Sequence, residues 1–339
     1  MIRFARRRLF PIAAGAWYFS CATGLAQDAE RASPTMRAGM IGLDTSHVVA
    51  FSRTINAPNA EGPMKSVEIT AAYRNGMPDN EFSRTRIDEF TKSVREMGIT
   101  IYDSIEAMLP HVDVVLIESV DGRPHLEQAR KVIAAGRPMY IDKPMASSLA
   151  EVLVIFREAR EAGVPVFSAS SLRFSSGFQA AREGKLGKVL GCTAWSPYHV
   201  EPHHPSLFWY GIHGVETLYT IMGPGCRTVV RERDDRVVGY WTDGRTGVWE
   251  ARQGYGAEIE TPEGTRSAGK YEGYGPLCVE ICRFFQTHEP PVAETETIEI
   301  FAFMEAADVS RDRGGRSVEI TEVMASAAEK AKTIAKSRA

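Results

Sequence analysis

From Met36 to about Ser170, short apolar runs alternate with stretches in which apolar residues recur every three or four positions. "AGMIGL", "VEITAAY", "ITIYD", "VDVVLIESV", "PMYIDK" and "VPVFSAS" read as strands; "VVAFSRTIN", "EFSRTRIDEFTKSVREMG", "SIEAMLPH", "HLEQARKVIAAG" and "LAEVLVIFREAREAG" read as the helices between them. Strands that alternate with helices predict right-handed βαβ units, and so an α/β, doubly wound parallel Rossmann domain over 35–171 with helices on both faces. After Leu172 the texture changes to runs rich in Gly, Trp and Tyr, broken by turn signals at Asp243-Gly244 and Glu263-Gly264. This predicts an α+β domain over 172–325 with a large, mostly antiparallel sheet. Helices at 211–222, 276–287 and 296–313 are expected to cover one face of that sheet, and 326–339 is expected to form a C-terminal helical tail with a frayed end.

The 339 residues suffice for two packed domains, and 44% hydrophobic with 24% charged residues is the composition of a folded chain. The first 26 residues carry Arg3, Arg6, Arg7 and Arg8 and no acid, then an apolar stretch ending in small residues before Gln27. This reads as a cleavable export signal, and "ARRRLF" resembles a twin-arginine signal, so the protein is expected in the periplasm or otherwise exported. A retained anchor is the rival reading, since the run approaches the ~17 apolar residues of a short span, but Pro11, Ser20 and Thr23 dilute it. No stable membrane span is expected after cleavage.

Without those four arginines, 36 basic face 43 acidic side chains, a net charge of −7. Nucleic acid is therefore excluded as the expected partner. Cys278 and Cys282 share one helix face as small buried residues, and with no CxxC pair no structural zinc site is assigned.

Several segments together resemble the Gfo/Idh/MocA oxidoreductases. "YIDKPMASSLAEVLVIFREAREAGVPVFSASSLRF" is similar to the family's Glu-Lys-Pro region, with Asp142 in place of the glutamate. "VDVVLIESVDGRPHLEQARKVIAAGRP" resembles the family's fourth strand and following helix, "REGKLGKVLG" its entry to the second domain, and "FMEAADVSRDRGGRSVEI" its closing helix and strand. The resemblance spans about 35 to 320 and implies NAD or NADP at the carboxyl ends of the strands, hydride transfer at a carbohydrate or polyol hydroxyl, and a possible homo-oligomer through the second-domain sheet.

The resemblance assigns catalysis to Lys143, the lysine of that motif, and to His213 of "WYGIHGVE". An ammonium beside a reacting hydroxyl steadies charge as a carbonyl forms, and an imidazole shuttles the proton near neutral pH. Trp209 stands where the family has an aspartate, which removes the usual orienter of His213. Upstream, "PYHVEPHHPSLFWYGIH" clusters His199, Glu201, His203 and His204. Pro202 and Pro205 argue against a helical metal pair, so no metal is assigned; hydrogen bonding to a sugar by the histidines, stacking by Trp209 or Tyr210, and a contact from Arg173 are the expected substrate roles.

The cofactor residues are less regular. Gly42 takes the first position of the Gly-x-Gly-x-x-Gly fingerprint, but Asp44 takes the second and His47 the third, with Thr45 and Ser46 between. Asp44 sets a negative charge where a pyrophosphate should approach, offset by His47 or by the helix N-terminus. Arg74 replaces the acid expected to hold the ribose of NAD and suits a 2′-phosphate instead. Ser119, Asp121, His125, Asp142 and Lys143 complete the candidate cofactor contacts at strand ends. Three outcomes follow: NADP in a shifted pose, tightly held NAD, or no dinucleotide. The reading is an NAD(P)-dependent oxidoreductase of a sugar or cyclic polyol. Two alternatives stand beside it: a glycoside-cleaving enzyme that recycles bound NAD(P), and a cofactor-free carbohydrate-binding protein.

Overall fold

The computed structural model describes residues 35–336; the export-signal expectation and the last three residues of the tail lie outside them. The first half runs β1 (Met36–Ile41), α1 (Ser46–Ile55), β2 (Val67–Tyr73), α2 (Glu81–Glu96), β3 (Thr100–Tyr102), α3 (Ile105–Met108), β4 (Val114–Ile117), α4 (His125–Ala134), β5 (Met139–Ile141), α5 (Leu149–Glu161) and β6 (Val166–Ser168). All six strands are parallel, in the order β3-β2-β1-β4-β5-β6. β4 is buried along its whole length, as a central strand covered on both faces must be. Thr45, Asn80, Ser104 and Ser148 cap α1, α2, α3 and α5 by accepting from backbone N–H groups in the first turn.

The second half runs α6 (Ser176–Arg182), β7 (Gly191–Ser196), α7 (Gly211–Met222), β8 (Cys226–Arg233), β9 (Arg236–Trp241), β10 (Thr246–Ala251), β11 (Gly256–Thr261), β12 (Gly264–Lys270), α8 (Gly275–Thr287), α9 (Glu294–Asp312), β13 (Val318–Glu319) and α10 (Ile320–Lys336). Its seven strands lie in the order β12-β11-β7-β10-β9-β8-β13, antiparallel except for the β7–β10 pair. Both Gly turns expected from the sequence join hairpins, at Gly244 between β9 and β10 and at Gly264 between β11 and β12.

α7 is buried on every face, its polar His213, Glu216, Thr217 and Thr220 included. It reaches its place because Gly214 has no side chain: a Cβ there would lie 2.6 Å from Trp249 of β10. That close approach seats His213 over the strand ends of the first half.

One helix departs from the expected layout, and the last helix also packs on the first half. α8 does not cover the second sheet; Leu277, Cys278, Ile281, Phe284 and Phe285 join the core formed by Leu43, Val48, Phe51 and Phe167 of the Rossmann half. Cys278 and Cys282 are both buried there, and burial raises both thiols, Cys282 to about 12. α10 likewise returns to pack on α5. Amphipathic periodicity shows that a helix has one apolar face but not which sheet that face will meet.

Candidate active site

A cleft of about 140 Å³ opens where the carboxyl ends of the parallel strands face α7. Thr45, Ser46 and His47, at the start of α1, form its floor with Lys143, which follows β5. Tyr210 and His213 descend from α7, while Tyr255, Tyr271 and Tyr274 come from the flanks of β11 and β12. Phe82 and Arg86 of α2, with Trp209, close one end, and the Phe82 and Trp209 rings meet at 5.5 Å.

His213 is buried, and its Nδ1 lies 2.7 Å from Ser170 Oγ. Burial, then the positive charge of Lys143, holds its imidazole well below its ordinary value, so it is a neutral proton acceptor at physiological pH. Ser170 thus supplies the orienting contact that Trp209 does not. Sequence reasoning missed it because the two residues are 43 positions apart and no spacing links them.

Beneath the cleft, His47 Nδ1 lies 2.7 Å from Asp142 Oδ2, and Tyr140 donates to Asp142 Oδ1 at 3.1 Å. Burial alone would raise the Asp142 carboxyl; the facing charges of His47 and Lys143 and the hydrogen bond from His47 outweigh it and hold the group below the usual carboxylate range. Glu118, directly after β4, is fully buried beside this pair. Burial, then the charge of Asp142, pushes Glu118 well above its ordinary value. Its one signal in the sequence was an acid at the end of the apolar run "VVLIES".

The remaining candidate residues lie outside the cleft. Asp44 is fully buried and does not face an open approach: its carboxylate accepts from Ser83 Oγ at 2.7 Å and from the Val120 N–H at 2.8 Å. Gly42 keeps a positive φ, and a Cβ there would lie 2.4 Å from Ser119 Oγ, so the turns after β1 and β4 touch. Asp121 accepts from Asn80 at 3.1 Å and pairs with Arg123, whose guanidinium also grips Asp79. His125 Nε2 lies 2.9 Å from the Ser119 carbonyl oxygen.

Of the expected substrate contacts, His204 sits between Asp121 and Glu201, and His203 faces Glu201 and Asp79. His199 packs its ring edge-on to Tyr210. Of the two arginines, Arg173 departs from its expected role. Arg74 pairs with Asp88 at the surface, 2.6 Å away. Arg173 is buried and pairs with Glu216 and Glu296, because α7 and α9 bring those acids to it.

These contacts decide how a dinucleotide fits. Its adenosine half would lie between the loops that follow β2 and β4, over the turn that follows β1. In this chain Asp79 to Arg123, Asn80 to Asp121 and Ser83 to Asp44 bridge that space. The cleft of about 140 Å³ has room for one ring system, as a cavity of about 150 Å³ holds benzene. With the bridges in place, the residues do not fit an extended dinucleotide.

Burial raises the Asp44 carboxyl to about 6 from an ordinary 3.8, despite the hydrogen bonds from Ser83 and Val120. The unfolded chain releases this proton first, so the stability it contributes is complete below about pH 4 and is lost as pH rises through about 6, on the order of 3 kcal/mol. Urea titrations at pH 4.5, 6 and 8 are expected to show Asp44→Asn with a flatter pH dependence than the wild type; equal slopes would remove the burial argument.

The strand order β3-β2-β1-β4-β5-β6, followed by a sheet domain facing its carboxyl ends, is the architecture of two-domain Rossmann-type dehydrogenases. Residues 36–170 match the model of the oxidoreductase family with an NAD-binding Rossmann fold, Gfo/Idh/MocA. It is 30% identical over 172 residues to a 1,5-anhydro-D-fructose reductase from Ensifer adhaerens, a match covering 49% of this chain and 47% of that protein. The chain thus spans about half the length of that relative or less of the others, down to 36%. A probable dehydrogenase from Thermotoga maritima shares the fold with a TM-score of 0.67 at 19% identity, covering 85% of this chain and all (100%) of that one. A myo-inositol dehydrogenase from Lactobacillus casei, solved with NAD(H) and myo-inositol, gives 0.65 at 15% identity, covering 84% and 96%.

Proposed function

We propose that the cleft takes a single sugar or cyclic-polyol ring and that Lys143 and His213 act on one of its hydroxyls. The observation that carries this reading is the placement of both side chains in one ring-sized cleft walled by Tyr210, Tyr255, Tyr271 and Tyr274. Aromatic faces stack on the C–H face of a sugar ring while phenol groups hydrogen-bond its hydroxyls. The Lys143 ammonium hydrogen-bonds the reacting oxygen and steadies its developing negative charge, and neutral His213, held by Ser170, accepts the proton. The named substrates of the two relatives, an anhydrofructose and an inositol, are compact rings of this kind.

In relatives of this fold, NAD or NADP takes up the hydride. Here the bridges across the adenosine position favour a second reading, in which the cleft holds carbohydrate without a dinucleotide. The N-terminal segment supports export, with the working site in the periplasm.

One set of measurements tests these readings. Native mass spectrometry of the purified chain reports bound nucleotide, subunit number and the mature N-terminus, expected at Gln27. Calorimetry then titrates inositols, pyranoses, NAD and NADP. Saturable binding of a ring polyol is expected under both readings, and uptake of NAD or NADP separates them. Nucleotide uptake would show that the bridges open and restore the dehydrogenase form of the reading; no binding of any ring would overturn it.

A further inference from the structure

The carboxyl ends of β4 and β5 and the first turn of α1 bring Glu118, Asp142 and His47 to one point below the cleft floor. One ligand atom from each lies within 4.8 Å of the others. Glu118 is the residue that demands an explanation. It is fully buried, and among the described residues neither of its carboxylate oxygens has a hydrogen-bond partner. Buried polar atoms are nearly always paired, because stripping them of water without compensation is costly. The adjoining carboxylate of Asp142, itself 1% exposed, adds repulsion.

A divalent cation resolves both problems. Two carboxylates neutralise its charge, and its bonds replace the missing partners of Glu118. One imidazole with two carboxylates is a donor set for zinc, manganese or ferrous iron, and too nitrogen-rich for a dedicated calcium site. A supporting contact is present as well: the Tyr140 hydroxyl, buried in the core, shares its proton between the second oxygen of Asp142 at 3.1 Å and the Ala169 carbonyl at 2.9 Å.

We infer that His47, Glu118 and Asp142 form a binding site for one divalent first-row transition metal. His47 lines the cleft, which gives an ion its entry path, and Lys143 follows Asp142 directly in the chain. An ion at this point lies beneath the same ring that Lys143 and His213 face. The site occupies the switch point between β1 and β4, where the strand order reverses and where relatives of this fold place their cofactor. The inference concerns metal binding and stands apart from the identity of any ring in the cleft.

The test uses the purified chain, stripped with a chelator and titrated with Zn²⁺, Mn²⁺ and Co²⁺ by calorimetry, with the visible absorption of Co²⁺ as a second readout. One ion per chain is expected, together with a rise in Tm on adding metal. Glu118→Gln keeps the shape of the side chain and removes its charge; it is expected to fold, as judged by circular dichroism, to weaken binding at least tenfold and to lose the metal-dependent rise in Tm. Asp142→Asn is expected to do the same. Failure of the wild type to bind any of the three ions, or binding that Glu118→Gln leaves unchanged, would overturn the site.

Discussion

With NAD or NADP as the hydride acceptor, the dehydrogenase form of the proposed function, replacing Lys143 by alanine is expected to lower kcat/KM on the ring substrate by about 10³-fold, the loss of about 4 kcal/mol of transition-state stabilisation, while Tm moves by no more than about 2 °C. The separation of the two readouts follows from how the residue is held. Among the described residues no hydrogen bond or ion pair ties down its ammonium, so little in the fold depends on it. The side chain lines the cleft, and its charge is felt by His213, Glu118 and Asp142. Arginine is not expected to rescue activity, because a planar guanidinium is bulkier than an ammonium in a space of about 140 Å³. Steady-state kinetics beside a thermal melt measures both; full turnover in Lys143→Ala would end the assignment.

Arg173→Ala is expected to behave in the opposite way, with a loss of about 3–5 kcal/mol of folding stability. The guanidinium is 3% exposed and pairs with Glu216 of α7 and Glu296 of α9; Arg182 makes a second contact to Glu296 at 2.9 Å. Removing Arg173 leaves two carboxylates in the core with one cation between them. Burial already raises the Glu216 carboxyl even with Arg173 in place, so this acid has no margin to lose. Urea denaturation measures the effect. The result also separates two roles for the residue: the substrate contact expected from the sequence would change KM and leave the denaturation midpoint alone, whereas a buried clamp between helices shifts the midpoint.

Much of the fold was legible from periodicity. All six parallel strands and the five helices between them fall where alternation of apolar runs placed them, because each crossover helix carries a local amphipathic pattern. Lys143 and His213 were legible through motifs, each a short string tied to one strand end or one helix start. Asp44 and His47 were legible as departures from the glycine fingerprint, but their partners were not. Asp44 turns to Ser83, which is 39 positions away, and His47 to Asp142, which is 95 away.

Glu118 illustrates the same limit. An acid closing an apolar strand is visible in the sequence, yet whether it meets water, a lysine or two metal-binding neighbours depends on what the ends of β1 and β5 bring beside it.

By itself, then, the sequence determined the two domain types, the strand order's class, the placement of Lys143 at a strand end and His213 at a helix start, and the departures from the usual glycine fingerprint. Only the tertiary structure decided that α8 belongs to the Rossmann core, that Arg173 is a clamp, that three side-chain bridges cross the adenosine position, and that Glu118 is buried without a partner. The physical reason is one of range. Strands and helices arise from patterns repeated every two to four residues, whereas charge pairing and desolvation are set by side chains that approach through space from distant parts of the chain.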